Sequence, residues 1–259
     1  MPLHYLYYTA ATPLFASGGT VLRDQVDQGS YGQFCPIAMA AEVLCSRWTT
    51  LVLREMLCGY TRFNDIRRGV PRMSPTLLSK RLKELEEAGV IVARAIDQPG
   101  VIDYRLTEAG KDLHNVIMSM GMWGHRWIES SISLKNLDPS LLMWDMRRNL
   151  APAPLPDRRC TINFLYPELG AGRKAWWLVI ENGQVDLCGF DPGHEVDLYV
   201  RSSLRSMTAV WMGVSTLKAE IEAGNITLTG DKAIARSMHE WLGLSPFAKE
   251  KKRIPIAAE

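Results

Sequence analysis

The stretch Met73-Ser74-Pro75-Thr76-Leu77-Leu78-Ser79-Lys80-Arg81-Leu82-Lys83-Glu84-Leu85-Glu86 decides how this chain is read. Ser74 carries a hydroxyl that can cap a helix, and Pro75 suits the first helical position, where its missing N–H is no loss. At helical spacing Leu78, Leu82 and Leu85 make one apolar stripe, which must face a core. Thr76, Lys80 and Lys83 fall on the opposite face, with Arg81 at its flank and Leu77 beside Thr76 and Lys80. Small polar groups succeeded by long cations suit a helix laid in the major groove of DNA. An ordinary amphipathic surface helix would carry the same stripe, so the helix by itself leaves both readings open.

The residues on its C-terminal side are more specific. Ala88-Gly89 is a helix stop, and Val90 to Ile96 is rich in strand formers. Asp97-Gln98-Pro99-Gly100 predicts a turn region, with Pro99 and Gly100 at the central positions of a type II geometry. Val101 to Leu106 returns as a second strand, with Ile102, Tyr104 and Leu106 on one face. A cationic helix leading at once into a hairpin is a winged helix arrangement, with Arg94 and Arg105 on the wing. Upstream, Cys35 to Leu44 predicts a short helix with Pro36 in its first turn. Ser46 to Leu57 predicts a second, with Trp48, Leu51, Val52, Glu55 and Met56 at helical spacing. Thr61 to Gly69 predicts a third, with Phe63 and Ile66 inward and Arg62, Arg67 and Arg68 outward.

Cys35-Pro36-Ile37, Arg47-Trp48-Thr49 to Leu53-Arg54-Glu55, Arg62-Phe63-Asn64-Asp65-Ile66, Ser74-Pro75 to Leu85, Gly89 and Tyr104-Arg105-Leu106-Thr107-Glu108-Ala109-Gly110 resemble the HxlR-type winged helix regulators of bacteria over about residues 35 to 130. The resemblance implies a dimeric transcription factor. The candidate contacts to double-stranded DNA are Arg72, Ser74, Thr76, Leu77, Lys80 and Arg81 at the helix, and Arg94, Gln98 and Arg105 on the wing. A helix beginning after Thr107 and running past Val116, Met120, Trp123, Trp127 and Ile128 is too apolar for a free surface. Core packing explains that stripe, and a homodimer interface, which the resemblance favours, explains it equally.

Length and charge set the bounds. The 259 residues, 47% hydrophobic, suffice for two domains, and a net charge of +2 excludes a polybasic condenser of nucleic acid, so DNA affinity must be local. The five cysteines form no C-x-x-C pair, which fits a reducing cytoplasm. No run is apolar enough to predict a membrane span. Residues 1–30 read as a disordered tail or an early-start extension, 31–132 as the winged helix domain, 138–247 as a second domain and 248–259 as a basic tail.

The second domain opens with a helix capped by Asp138, and the stiff Ala151 to Pro156 run comes after it. Strands are predicted at Cys160–Tyr166, Lys174–Ile180, Val185–Cys188, Glu195–Val200 and Asn225–Gly230, with an Asn182-Gly183 hairpin turn. Helices are predicted at Ser203–Met212, Thr216–Ala223 and Asp231–Leu242. The expected class is a mostly α winged helix-turn-helix domain followed by an α+β domain with an antiparallel sheet. Ile180 to Val185, Val196-Asp197-Leu198 and Ala223 to Asp231 resemble sterol carrier protein domains, which implies an apolar ligand. Its candidate pocket is Trp176, Leu178, Phe190, Leu198, Val200 and Trp211.

Catalysis has little support. The five histidines are dispersed, no cluster has metal-ligand spacing, and Gly170-Ala171-Gly172 lacks the setting of a phosphate loop, so neither cofactor nor metal is expected. Cys35 stands at the first turn of a helix, where the dipole favours a thiolate. The resemblance implies an oxidant-sensing role there; Cys45, Cys58, Cys160 and Cys188 read as packing residues. Two functions stay open. One is a DNA-binding regulator whose second domain senses a small apolar molecule. The other is a carrier or protein-interaction module whose winged helix does not bind DNA.

Overall fold

A computed structural model describes residues 30–96, 100–128 and 134–253. The expectations for residues 1–29 and for Asp97, Gln98 and Pro99 lie outside the described residues. The first half runs α1 (Pro36–Leu44), α2 (Thr49–Leu57), α3 (Phe63–Gly69), α4 (Pro75–Glu87), β1 (Ile91–Ala95), β2 (Ile102–Leu106) and α5 (Glu108–Trp127). Its common core is built from Val52, Leu53, Met56, Ile66, Leu78, Leu82, Leu85 and Ile91. The second helix starts three residues later than its pattern predicts. Trp48 sits in the left-handed region at φ 79°, a conformation that cannot continue a right-handed helix.

β1 and β2 form the expected antiparallel hairpin, pairing Val92 with Arg105 and Ala93 with Tyr104. Gly100 has φ 76°, the left-handed value that the third position of a type II turn requires. Tyr104 and Leu106 pack against the core as their alternation predicts, but the first rung of β2 departs from it. Ile102 is exposed, whereas Asp103, on the opposite face, is 3% exposed. The cause is a third rung: Arg62 bridges to Asp103, and the Tyr104 amide donates to the Thr61 carbonyl at 2.8 Å.

The second half runs α6 (Pro139–Asn149), β3 (Cys160–Leu165), β4 (Ala175–Glu181), β5 (Gln184–Cys188), β6 (Leu198–Ser202), α7 (Leu204–Trp211), α8 (Leu217–Glu222), β7 (Ile226–Gly230), α9 (Lys232–Arg236) and α10 (Met238–Trp241). The sheet order is β5-β4-β3-β6-β7. It is mixed rather than wholly antiparallel, because β3 and β6 pair in parallel from Ile162 opposite Leu198 to Leu165 opposite Arg201. The β4–β5 hairpin has the expected Asn-Gly turn, with Asn182 at φ 51° and Gly183 at φ 72°. Ile162, Phe164, Leu178, Ile180, Leu198 and Val200 alternate onto one face, which Met143, Met207 and Trp241 help to cover. The Ala151 to Pro156 run is no free linker. Leu155 is buried in this core, and the Ala151 amide donates to the Trp241 carbonyl at 3.0 Å.

Two features join the halves. The first is α6, capped by Asp138, whose Oδ1 accepts from the Ser140 and Leu141 amides at 3.0 and 3.3 Å. It gives Leu142, Met143 and Met146 to the second core and turns Trp144 toward the first. The second is the stretch 245–253, of which residues from 248 on were expected as a basic tail. The Phe247 ring lies against Gly121 of α5, so closely that a Cβ at this glycine would overlap it. Arg126 Nε donates to Glu250 Oε2 at 2.8 Å, and the Arg253 amide donates to the Arg126 carbonyl at 2.8 Å. His125 Nε2 stands 3.1 Å from the Glu250 carbonyl. Burial and then the Lys252 charge hold His125 below the ordinary histidine range.

Candidate nucleic-acid interface

α4 is oriented by its stripe. Leu78, Leu82 and Leu85 are buried, so Ser74, Thr76, Lys80 and Lys83 face outward, with Leu77 half-buried between the two sides. Ser74 Oγ accepts from the Leu77 amide at 3.2 Å, the expected N-cap. The other end of α4 is tied to the wing, since Glu86 Oε1 accepts from the Ala93 amide at 2.9 Å. Thr76 and Lys80 are exposed on the helix, and Arg94 is exposed on the hairpin.

The candidate cations differ in how free they are. Lys80 is exposed, and its Nζ lies only loosely, at 3.9 Å, from Glu84 Oε1. Arg81 folds back, its Nε donating to the Arg47 carbonyl at 3.0 Å and its Nη1 pairing with Glu84. That contact makes it a brace between α4 and the chain before α2 rather than an extended reader of DNA. Arg105 is exposed but paired to Asp103, and Arg72 Nε lies 3.9 Å from Asp138 Oδ2. Arg62, expected outward, reaches the same buried Asp103, with Nε 3.9 Å from Oδ1. Gln98 lies outside the described residues.

Asp103 holds the wing to α3. Hydrogen bonds from the Thr61 side chain and from Arg105 keep its carboxyl below the ordinary aspartate value. A lowered acid contributes stability in full above the unfolded-state value and loses it as pH falls through the lowered one. The hairpin should therefore stay tied until strong acid. A carboxyl-carbon NMR titration should show a depressed Asp103 midpoint that Arg105→Gln moves back toward that of a free aspartate. A midpoint indifferent to that substitution would remove Arg105 from the clamp.

The other predicted sites fare unequally. Cys35 is the N-cap residue of α1, half-buried and unbonded to another cysteine. Cys45 and Cys58, expected as packing residues, are exposed, because both lie just past helix ends. Cys160 is packed as expected, and burial pushes its thiol up to about 12. The six candidate pocket residues are not one site. Leu178, Leu198, Val200 and Trp211 belong to the close-packed core, whereas Trp176 and Phe190 line an open groove against the winged helix.

Sequence reasoning missed the junction itself. Glu55 is fully buried, with Oε1 accepting from Arg54 Nε at 2.8 Å and Oε2 from Arg148 Nη2 at 2.8 Å and Trp144 Nε1 at 3.2 Å. Asp145 also pairs with Arg148, at 2.7 Å. Despite the desolvation that opposes its charge, Arg148 is held protonated by Asp145 and Glu55. Tyr60 stacks on Trp144 with ring centroids 4.8 Å apart. The signal was present: Glu55 is the one charged member of the inward stripe of α2.

The family profile described as HxlR-like helix-turn-helix matches residues 43–132. Over 87 residues the chain is 38% identical to the HTH-type transcriptional regulator YvaP of Bacillus subtilis (strain 168), covering 33% of this chain and 81% of YvaP. Over 86 residues it is 44% identical to an HTH-type transcriptional regulator of Mycobacterium tuberculosis, covering 32% of this chain and 52% of that protein. Among solved structures, the reduced form of the transcriptional regulator YodB from B. subtilis is similar at 31% identity and a TM-score of 0.33, covering 38% of this chain and 98% of YodB. These similarities span about a third of the chain. Through its winged helix half, the chain belongs to the HxlR-like helix-turn-helix family.

Proposed function

We propose that this protein is a transcriptional regulator that binds a pseudo-palindromic operator as a homodimer and carries an α+β domain that senses a small apolar molecule. The observation that carries the DNA-binding reading is α4: its inner face is sealed in the core while Thr76 and Lys80 stand exposed beside the exposed Arg94 of the wing. A protein-binding winged helix needs no cations on both elements. Dimerisation is supported by α5, whose Val116, Met120, Trp123 and Trp127 are exposed in a single chain, and by α1, which buries none of its residues. Apolar faces of this kind in a small module mark an interface. No described helix is long and apolar enough to cross a membrane.

The domains run 31–132 and 138–247 in this reading, with residues 245–253 returning to α5. The sterol carrier protein-like identity of the second domain rests on its five-stranded sheet with helices packed on it. A redox role for Cys35 rests on its position at the N-terminus of α1 and its partial exposure. A carrier function without DNA would leave the exposed cations of α4 and β1 unused, which disfavours it.

Thr76 and Arg94 test the DNA reading because they should fail differently. Thr76→Ala should change base preference at one position of each half-site. Arg94→Ala should weaken all sequences alike and reduce the salt slope of binding by about one unit. Electrophoretic shift across a salt series reads both, and an Arg94→Ala slope equal to the wild type would take the wing off the DNA.

A further inference from the structure

The groove between the winged helix and the second domain is built for a particular kind of molecule. It encloses about 690 Å³, within the ordinary range for small-molecule sites. One wall is α3 and the turn after it, with Arg67, Arg68 and Pro71; the other is Trp176 on β4 and Leu187 to Phe190 at the end of β5. Trp144 of α6 forms its floor.

Its chemistry is divided. Phe190 leaves a phenyl ring 73% exposed at the rim, beside the half-buried Trp176. Among the described residues, every charged side chain lining the groove is an arginine. Arg68 spans Trp144, with its guanidinium 5.1 Å from the ring centroid, and pairs with Asp65 at 3.3 Å; Arg67 has no ion pair among the described residues. Guanidinium groups bind carboxylates through paired, directional hydrogen bonds. Flat aromatic walls bind flat apolar bodies by stacking.

We infer that this groove is a binding site for a small, flat apolar carboxylate, with its body against Trp176 and Phe190 and its anionic head on Arg67 and Arg68. This goes beyond the proposed sensing domain: the ligand lies between the two domains, not inside the sheet core, whose Leu178, Leu198 and Val200 are sealed. A molecule held there touches α3 and Pro71, the turn that leads into α4, so its occupancy reaches the DNA-facing helix through the shortest stretch of chain.

The test uses the full-length chain and isothermal titration with naphthalene-2-carboxylate, with naphthalene-2-carboxamide as the uncharged match. The carboxylate should bind about tenfold or more tightly than the amide, the margin expected of a charge-assisted contact. Arg67→Gln/Arg68→Gln should bring the two ligands together. Phe190→Ser should weaken both by about tenfold, as lost stacking area predicts. All three residues are exposed, and circular dichroism checks that the variants keep their fold. Equal binding of acid and amide by the wild type overturns the inference. Unchanged carboxylate binding in both variants does so too, since the ligand would then sit elsewhere. Operator binding by the same unliganded samples is a separate readout, so a failure of the DNA reading would not be confused with a failure of the groove.

Discussion

Glu55→Ala is expected to lower the stability of the folded chain by roughly 3–5 kcal/mol, the range for removing one partner of a buried ion pair. The substitution leaves Arg54 Nε and Trp144 Nε1 without their acceptor and takes one of the two carboxylates from Arg148 Nη2. Arg148 keeps Asp145, but its side chain is nearly buried and cannot recover water. The pocket is shaped around this one side chain, because Gly69 packs so near that a Cβ there would overlap the Glu55 carboxyl group. Glu55→Gln should lose less, since it keeps the shape and one acceptor. Urea denaturation of the full-length chain gives the ranking. A Glu55→Ala loss below about 1 kcal/mol would mean that the network is more solvated than its geometry shows.

The second large effect concerns α5. Met120→Glu/Trp123→Glu should yield a monomer and weaken operator binding by about 10²–10⁴-fold, the advantage that linking two half-site contacts confers. Trp123 is 61% exposed and Met120 and Val116 are exposed beside it, so the substitutions disturb little packing within the chain. Any loss is therefore assigned to assembly rather than folding. Sedimentation equilibrium and electrophoretic shift on the same preparation check it. A variant that stays dimeric, or a monomer that binds as tightly as the wild type, would move the interface off this face.

Local pattern controls the features that could be read from the sequence. The stripe of α4, its Ser74 cap, the hairpin after Gly89 and the Thr107 cap of α5 are each written within one short local stretch, and all four appear where their spacing puts them. Contacts between distant segments were not legible. The parallel pairing of β3 with β6 joins segments more than thirty residues apart, and alternation along each strand is the same for either direction. The burial of Asp103 depends on Arg62, which approaches from another element. The segment 245–253 reads as polar and basic, and nothing in it signals that Phe247 and Glu250 return to α5. Aromatic weight in the second half misleads for a related reason. Composition cannot distinguish Trp211, sealed in a core, from Trp176, which lines a groove. Among the DNA candidates, Thr76, Lys80 and Arg94 were legible because exposure follows from helical and strand phase, whereas the inward turn of Arg81 depends on the Arg47 carbonyl.

In the proposed regulator, two α4 helices related by a two-fold axis through α5 bind DNA together. Hydroxyl-radical footprinting on a selected operator tests this most directly. Two protected half-sites of inverted sequence, centred about one helical turn or ~34–36 Å apart, are the predicted result. A single unpaired protected site, or no protection at all, would contradict it.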